Sequence, residues 1–154
     1  MKSLAGKIFS VFAGLTGLAL LYDGLWELSE AKEREVIYRK ALRYARSRKK
    51  PLLVVGNPKG RHGKGDVCID INPEPGCLKA DVHNLSMFPD KYFGAAFVSH
   101  VLEHIENPRG ALDELTRVAD RVYILTPSPF KLNSWLHPGH KWIIFDLNRM
   151  KRIR

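Results

Sequence analysis

Cysteine is scarce in this sequence: only Cys68 and Cys77 occur, and their spacing makes no C-x-x-C pair. That excludes a framework of several disulfides and a cysteine-rich metal site, and it sets the expectation of free thiols in a reducing compartment. Acidic residues are also short, 16 Asp and Glu against 25 Lys and Arg, which leaves a net charge of +9. Such a balance points to anionic partners, either nucleic acid or anionic lipid. At 154 residues the chain is too short for two full domains. With 45% hydrophobic and 27% charged residues it is neither a disordered tail nor a polytopic membrane protein. The basic excess is uneven. Residues 1–50 hold 11 bases and 5 acids, net +6, whereas residues 51–154 hold 14 and 11, net +3.

Charge is absent altogether from Ile8 to Tyr22, and if Asp23 is tolerated the apolar stretch extends to Trp26. Lys2 and Lys7 precede it, and no small-x-small cleavage site follows. The expectation is a retained membrane anchor over residues 8–26, a single N-terminal pass. Residues 27–50 read as a basic helix with Ser29 as N-cap, stopped by Pro51. Nine Lys or Arg between Lys32 and Lys50 would then hold the rest of the chain on the cytoplasmic side. Basic residues within 32–64 are candidates for contact with anionic lipid or nucleic acid.

Beyond Pro51 the pattern changes. Leu52–Val55, Val67–Ile71, Phe93–Ser99 and Val122–Leu125 are short apolar runs rich in β-branched residues, and each reads as a buried strand. His100–Ile105 reads as the start of a helix that resumes after Pro108 with Leu112, Leu115 and Val118 on one face, and a last helix is expected from Asp146. Strands alternating with helices imply a parallel sheet with ligands outside the carboxyl ends of its strands.

Several local motifs carry little on their own. The loop GNPKGRHGKG lacks the glycine spacing and the Ser or Thr of a phosphate-binding loop. His100-x-x-Glu103-His104 matches H-x-x-E-H, and His137-x-x-His140 adds a second pair, so a four-ligand zinc site is arithmetically available. A protease of that type needs a further acidic ligand and a larger chamber, and the metal reading is set aside.

Taken together, DVHNLSMFPDKYFGAAFVSHVLEHIENPRGALDELTRV, Asp81 to Val118, resembles the methyltransferase type 11 group of class I S-adenosylmethionine-dependent methyltransferases. The likeness extends over roughly residues 52–147. It implies an α/β fold, a Rossmann-like mostly parallel sheet with flanking helices, truncated at the C-terminus and preceded by the N-terminal hydrophobic helix. The organisation it gives is 1–26 anchor, 27–50 basic linker helix and 51–154 methyltransferase-like domain.

The resemblance also implies S-adenosylmethionine as cofactor and an unidentified methyl acceptor. It makes Gly56 and Asn57 the loop at the methionine moiety and Asp70, with Ile71 beside it, the ribose ligand. Asp81 and Val82 become the adenine contacts, and Ser99 and His100 the strand end beside the sulfonium. No catalytic base is assigned. The sequence departs from the family at Val54 and Pro58, at Phe93-Gly94, at Ala119-Asp120-Arg121, and in the short segment between its first two strands. A truncated sheet would need an oligomer or protein partner over its edge. The rival reading is a catalytically inactive methyltransferase-fold protein with a structural role at a membrane.

Overall fold

The structure is a computed structural model describing residues 4–154, with the side chains of residues 4, 5, 7, 8, 19, 20 and 23 outside the description. Lys2, read above as part of the basic start, lies outside the described residues. Helix α1 covers Leu4–Ser47, so Ser29 sits inside a helix and does not cap one. The chain divides into two compact units, Met1–Lys32 and Glu33–Arg154.

In the first unit Phe9, Phe12, Leu15, Leu18 and Leu25 are exposed. Among the described residues no helix is long and apolar enough to cross a membrane, which overturns the expected pass through residues 8–26 and the placement of the domain on one side of it. The physical reason is length. The uncharged run between Lys7 and Asp23 is 15 residues. As a helix it reaches about 22 Å, against a hydrocarbon core of roughly 30 Å.

The second unit is built on a five-stranded parallel sheet of order β3-β2-β1-β4-β5. Its strands are β1 (Leu52–Val55), β2 (Val67–Asp70), β3 (Leu78–Lys79), β4 (Ala95–Ser99) and β5 (Val122–Leu125). All four pairings are parallel, as the alternation of elements required. Side chains alternate across the sheet. Leu53, Val55, Ile69, Ala96 and Val98 enter one core with Leu115 and Val118, while Leu52, Val54, Cys68, Ala95 and Phe97 enter the other with Ala41 and Ala45. The first core is covered by α2 (Pro108–Val118), which starts at Asn107, whose side chain accepts from Gly110 N, and buries Ala111, Leu115 and Val118 at helical spacing.

The second core is covered by residues 33–47 of α1. The segment between β1 and β2 holds no helix, so this one, lying before β1 in sequence, takes the face that a crossover helix would cover. Ala41 and Ala45 are fully buried there. The approach is close: a Cβ added at Gly94 would lie 2.8 Å from Ala45 Cα and 3.1 Å from its carbonyl oxygen. The helix end is fixed by Asp120, which accepts from Lys50 Nζ at 2.9 and 3.0 Å and from Arg48 Nε at 3.3 Å. The Lys50 hydrogen bond is the main cause holding the Asp120 carboxyl below its ordinary value.

Three local expectations are corrected. His100–Ile105 is a run of turns and not a helix. No helix starts at Asp146; β6 (Trp142–Ile144) and β7 (Met150–Arg152) form an antiparallel hairpin instead. Its Ile144 enters the first core, and its first strand is tied to the turns by Lys141 N and Trp142 N, which both donate to Glu103 O. Finally, Cys68 and Cys77 are joined in a disulfide, contrary to the free-thiol expectation. Parallel pairing of Ile69 with Leu78 is the cause, because it sets the two preceding residues side by side on adjacent strands.

Gly94→Ala should lower the unfolding free energy by about 1–3 kcal/mol through overpacking against α1, measured by urea denaturation. Cys77→Ser should cost roughly 2–3 kcal/mol in non-reducing urea, the chain-entropy value for so short a loop. For Asp120, a depressed folded value means stability present above the unfolded carboxyl pKa and lost as pH falls through the folded one. Urea midpoints taken between about pH 7 and about pH 3 should therefore fall less in Asp120→Asn than in the parent chain.

Candidate functional site

Strand order reverses beside β1: the chain runs outward through β2 and β3, then returns on the other side as β4. Loops leaving β1 and β4 part at that point and open a crevice at the carboxyl ends. A cleft of about 680 Å³ lies there, within the range of ordinary small-molecule sites. Of the eight residues read from sequence, six line it: Gly56, Asp70, Ile71, Asp81, Val82 and His100. Asn57 and Ser99 do not. Asn57 braces the wall, its amide donating to Asn72 O and its Oδ1 accepting from Glu74 N. Ser99 Oγ accepts from Arg34 Nε at 3.0 Å on the face covered by α1.

Gly56 takes φ +94°, and a Cβ there would meet Val101 Cγ2 at 2.8 Å, so both backbone and space require glycine. Asp70 is half-buried at the end of β2, with one oxygen accepting from Asn57 N at 2.9 Å and the other from Asn72 N at 2.7 Å. Each oxygen keeps a second lone pair for a ligand. Asp81 accepts from His83 N at 2.9 Å and from His83 Nδ1 at 2.7 Å. These contacts, the backbone one first, hold its carboxyl below the ordinary value against some desolvation. His83 Nε2 in turn reaches Asn107 O, which ties this turn to the start of α2.

The loop carrying Asp81 and Val82 is held from α2. Arg117 donates to Leu85 O and Phe88 O at 3.1 Å each and pairs with Asp90 at 2.7 Å, while Glu114 accepts from Leu85 N at 2.8 Å. On the opposite wall His100 takes φ +55°, a strained value for a residue with a side chain. Its Nε2 is buried without a hydrogen-bond partner. Val54, standing where the family carries an acid, points into the core behind the cleft. Pro58 is buried and offers no amide to a ligand.

Sequence reasoning missed Glu106 and Lys141, which also line the cleft, and considered His104, a third lining residue, only as a metal ligand. Glu106 accepts from Lys141 Nζ at 2.5 Å, a contact across 35 residues that no local pattern encodes. That hydrogen bond is the first cause keeping the Glu106 carboxyl low. The H-x-x-E-H reading fails as a motif, since residues 100–104 are turns and the helix needed to align two histidines is missing. His104 nevertheless meets His137 and His140. His140 is buried, and desolvation first of all lowers its pKa.

No curated protein and no solved structure matches the chain. A family model described as a methyltransferase domain, of the type 11 group, matches residues 60–121, which takes in Asp70, Ile71, Asp81, Val82, Ser99 and His100 but begins after Gly56 and Asn57. Such domains typically bind S-adenosylmethionine, and the match is consistent with a class I S-adenosylmethionine-dependent methyltransferase.

Proposed function

We propose that the protein is an S-adenosylmethionine-dependent methyltransferase whose donor occupies the cleft at the reversal of strand order. One observation carries the reading: Gly56, Asp70, Asp81 and His100, from four separate chain segments, line a single cleft at the carboxyl ends of a parallel sheet. The rival membrane-bound scaffold has lost its membrane span.

The residues fit the donor by their chemistry. Asp70 has two oxygens, each with one lone pair committed to backbone, which suits a pair of ribose hydroxyls. Gly56 brings backbone to the cleft wall where a side chain would intrude. Ile71, Ala80 and Val82 supply apolar surface for a flat base, with Asp81 at its edge. When bound, S-adenosylmethionine supplies a methyl group already activated on a sulfonium sulfur. For such a displacement the protein needs to align the acceptor and exclude water, and that can carry most of the rate without a dedicated base. His100, locked at the strand end with a buried and unengaged Nε2, is the side chain best set to orient an acceptor. With Asp70 and Asp81 assigned to the donor, His100, His104 and Lys141 are left among the lining side chains to meet the acceptor.

Calorimetric titration of the full chain with S-adenosylmethionine and S-adenosylhomocysteine should give dissociation constants on the order of micromolar. Asp70→Ala should weaken both by about 10- to 100-fold, the loss of charge-assisted hydrogen bonds. Gly56→Ala should abolish measurable binding. Absence of heat and of any thermal shift up to millimolar ligand in a folded parent chain sinks the reading.

A further inference from the structure

Beside the cleft, and sharing one wall with it, three histidines converge from two segments far apart in sequence. Each of His104, His137 and His140 offers a ring nitrogen, and these atoms lie within 4.8 Å of one another. His104 comes from the turns after β4, the other two from the segment between α3 (Leu132–Leu136) and β6. Their ring centroids are 4.4, 4.8 and 5.6 Å apart.

Two rings are already set in one tautomer. His104 Nδ1 faces Gly139 O at 2.9 Å, and His140 Nδ1 faces Ser134 O at 2.8 Å. A carbonyl can only accept, so both Nδ1 atoms carry the proton and both Nε2 atoms present a lone pair. This backbone anchoring of one nitrogen to orient the other is the usual second layer of a metal site. His137 differs, since its Nδ1 accepts from Gly139 N at 3.1 Å. To ligate through Nε2 it must release that one weak contact. Gly139 thus grips two of the rings, and a Cβ there would crowd both, at 3.2 Å from His104 Nδ1 and 3.3 Å from His137 Cε1. Arg154 donates to the carbonyls of His137 and His140 and steadies the same turn.

An independent observation points to the missing charge. Glu103 is 1% exposed, and neither carboxylate oxygen has a hydrogen-bond partner among the described residues. Its Oε1 is 3.8 Å from His104 Nε2 and 3.4 Å from His100 Nδ1, and neither contact is a hydrogen bond. Glu103 and His140 line one small crevice. A carboxylate buried in this way is costly unless a cation or a donor answers it.

We infer that His104, His137 and His140, with Glu103 as fourth ligand or as the buried counter-charge, bind one divalent transition-metal ion of the zinc class. Three imidazoles and a carboxylate are the donor set of such ions, and hard cations that demand oxygen are disfavoured. Nitrogens around tetrahedral zinc sit about 3.3 Å apart, against up to 4.8 Å between the ring nitrogens here, so the rings must close in on the ion. The site uses one residue of the H-x-x-E-H string as histidine ligand and leaves out His100.

The test uses untagged full-length protein stripped with chelator, then titrated with Co²⁺ by visible absorbance and with Zn²⁺ by competition. One ion per chain should bind at micromolar or lower concentration, with the intense cobalt bands of a tetrahedral site. His104→Ala and His140→Ala should each weaken binding at least tenfold, Glu103→Gln by a similar factor, and His62→Ala not at all. Circular dichroism and thermal melts in metal-free buffer check that the variants are folded. Should they not fold, zinc protection of the parent chain against histidine carbethoxylation, read residue by residue, decides: His104, His137 and His140 should be shielded and His62 and His83 should not. Absence of saturable uptake, uptake undiminished in folded His104→Ala and His140→Ala, or equal modification of His62, His83, His104, His137 and His140 overturns the inference. None of these readouts depends on S-adenosylmethionine binding.

Discussion

The packing of residues 33–47 of α1 against one face of the sheet is the contact on which the domain depends. A parallel sheet must be covered on both faces, and the segment between β1 and β2 is too short to supply a helix for this one. Ala41 and Ala45 allow the helix to lie directly on Leu52, Val54, Ala95 and Phe97. Departures from the family pattern follow from this substitution of one helix for another. Gly94 leaves room for Ala45, Asp120 receives Lys50 and Arg48, and Arg121 lies 4.7 Å over the Tyr44 ring. Gly63 gives way to the Tyr38 hydroxyl in the same manner. What looks like degeneration along the sequence is a consistent set of accommodations to one neighbour.

With that face secured, the other side of the sheet carries the working loops. Arg117 and Glu114 hold the segment after Asp81, Asn107 starts α2 and receives His83, and the β6–β7 hairpin takes hold of the turns after β4 through Glu103 O. Trp142 Nε1 donates to Ile105 O, and Arg152 pairs with Glu106, so the hairpin shapes the cleft without extending the sheet. The cleft and the histidine cluster therefore rest on shared supports. Linkage between ligands at the two places would be reciprocal.

Strands β1, β2, β4 and β5 were legible because their apolar runs are short, β-branched and ended by Gly, Asp, Ser or Thr, and parallel order followed from alternation with helices; β3 and β7 carry no such run, and β6 was missed. The cleft was legible only in part. Gly56, Asp70 and His100 stand at strand ends, so strand identification places them, and Asp81 comes from the resemblance alone, whereas Glu106 and Lys141 arrive through long-range contacts. The turns at 100–105 have apolar spacing compatible with a helix, but hydrogen bonding of His104 and Glu103 to distant backbone prevails. The disulfide required knowledge of the β2–β3 register, and β3 is two residues long. The membrane reading fails because an uncharged run of 15 residues, at the short end for a span, falls short of the hydrocarbon core as a helix.

The order of elements has a consequence for synthesis on the ribosome. Residues 33–47 emerge before every strand they will cover, and β4 is completed only at Ser99, 52 residues after Ser47. At translation rates of about 5–20 residues per second, Ile37, Ala41, Leu42 and Ala45 wait roughly 3–10 s for the surface that buries them. During that interval the nascent chain presents an apolar helical face flanked by Lys and Arg, the kind of segment that chaperones at the tunnel exit hold back from aggregation.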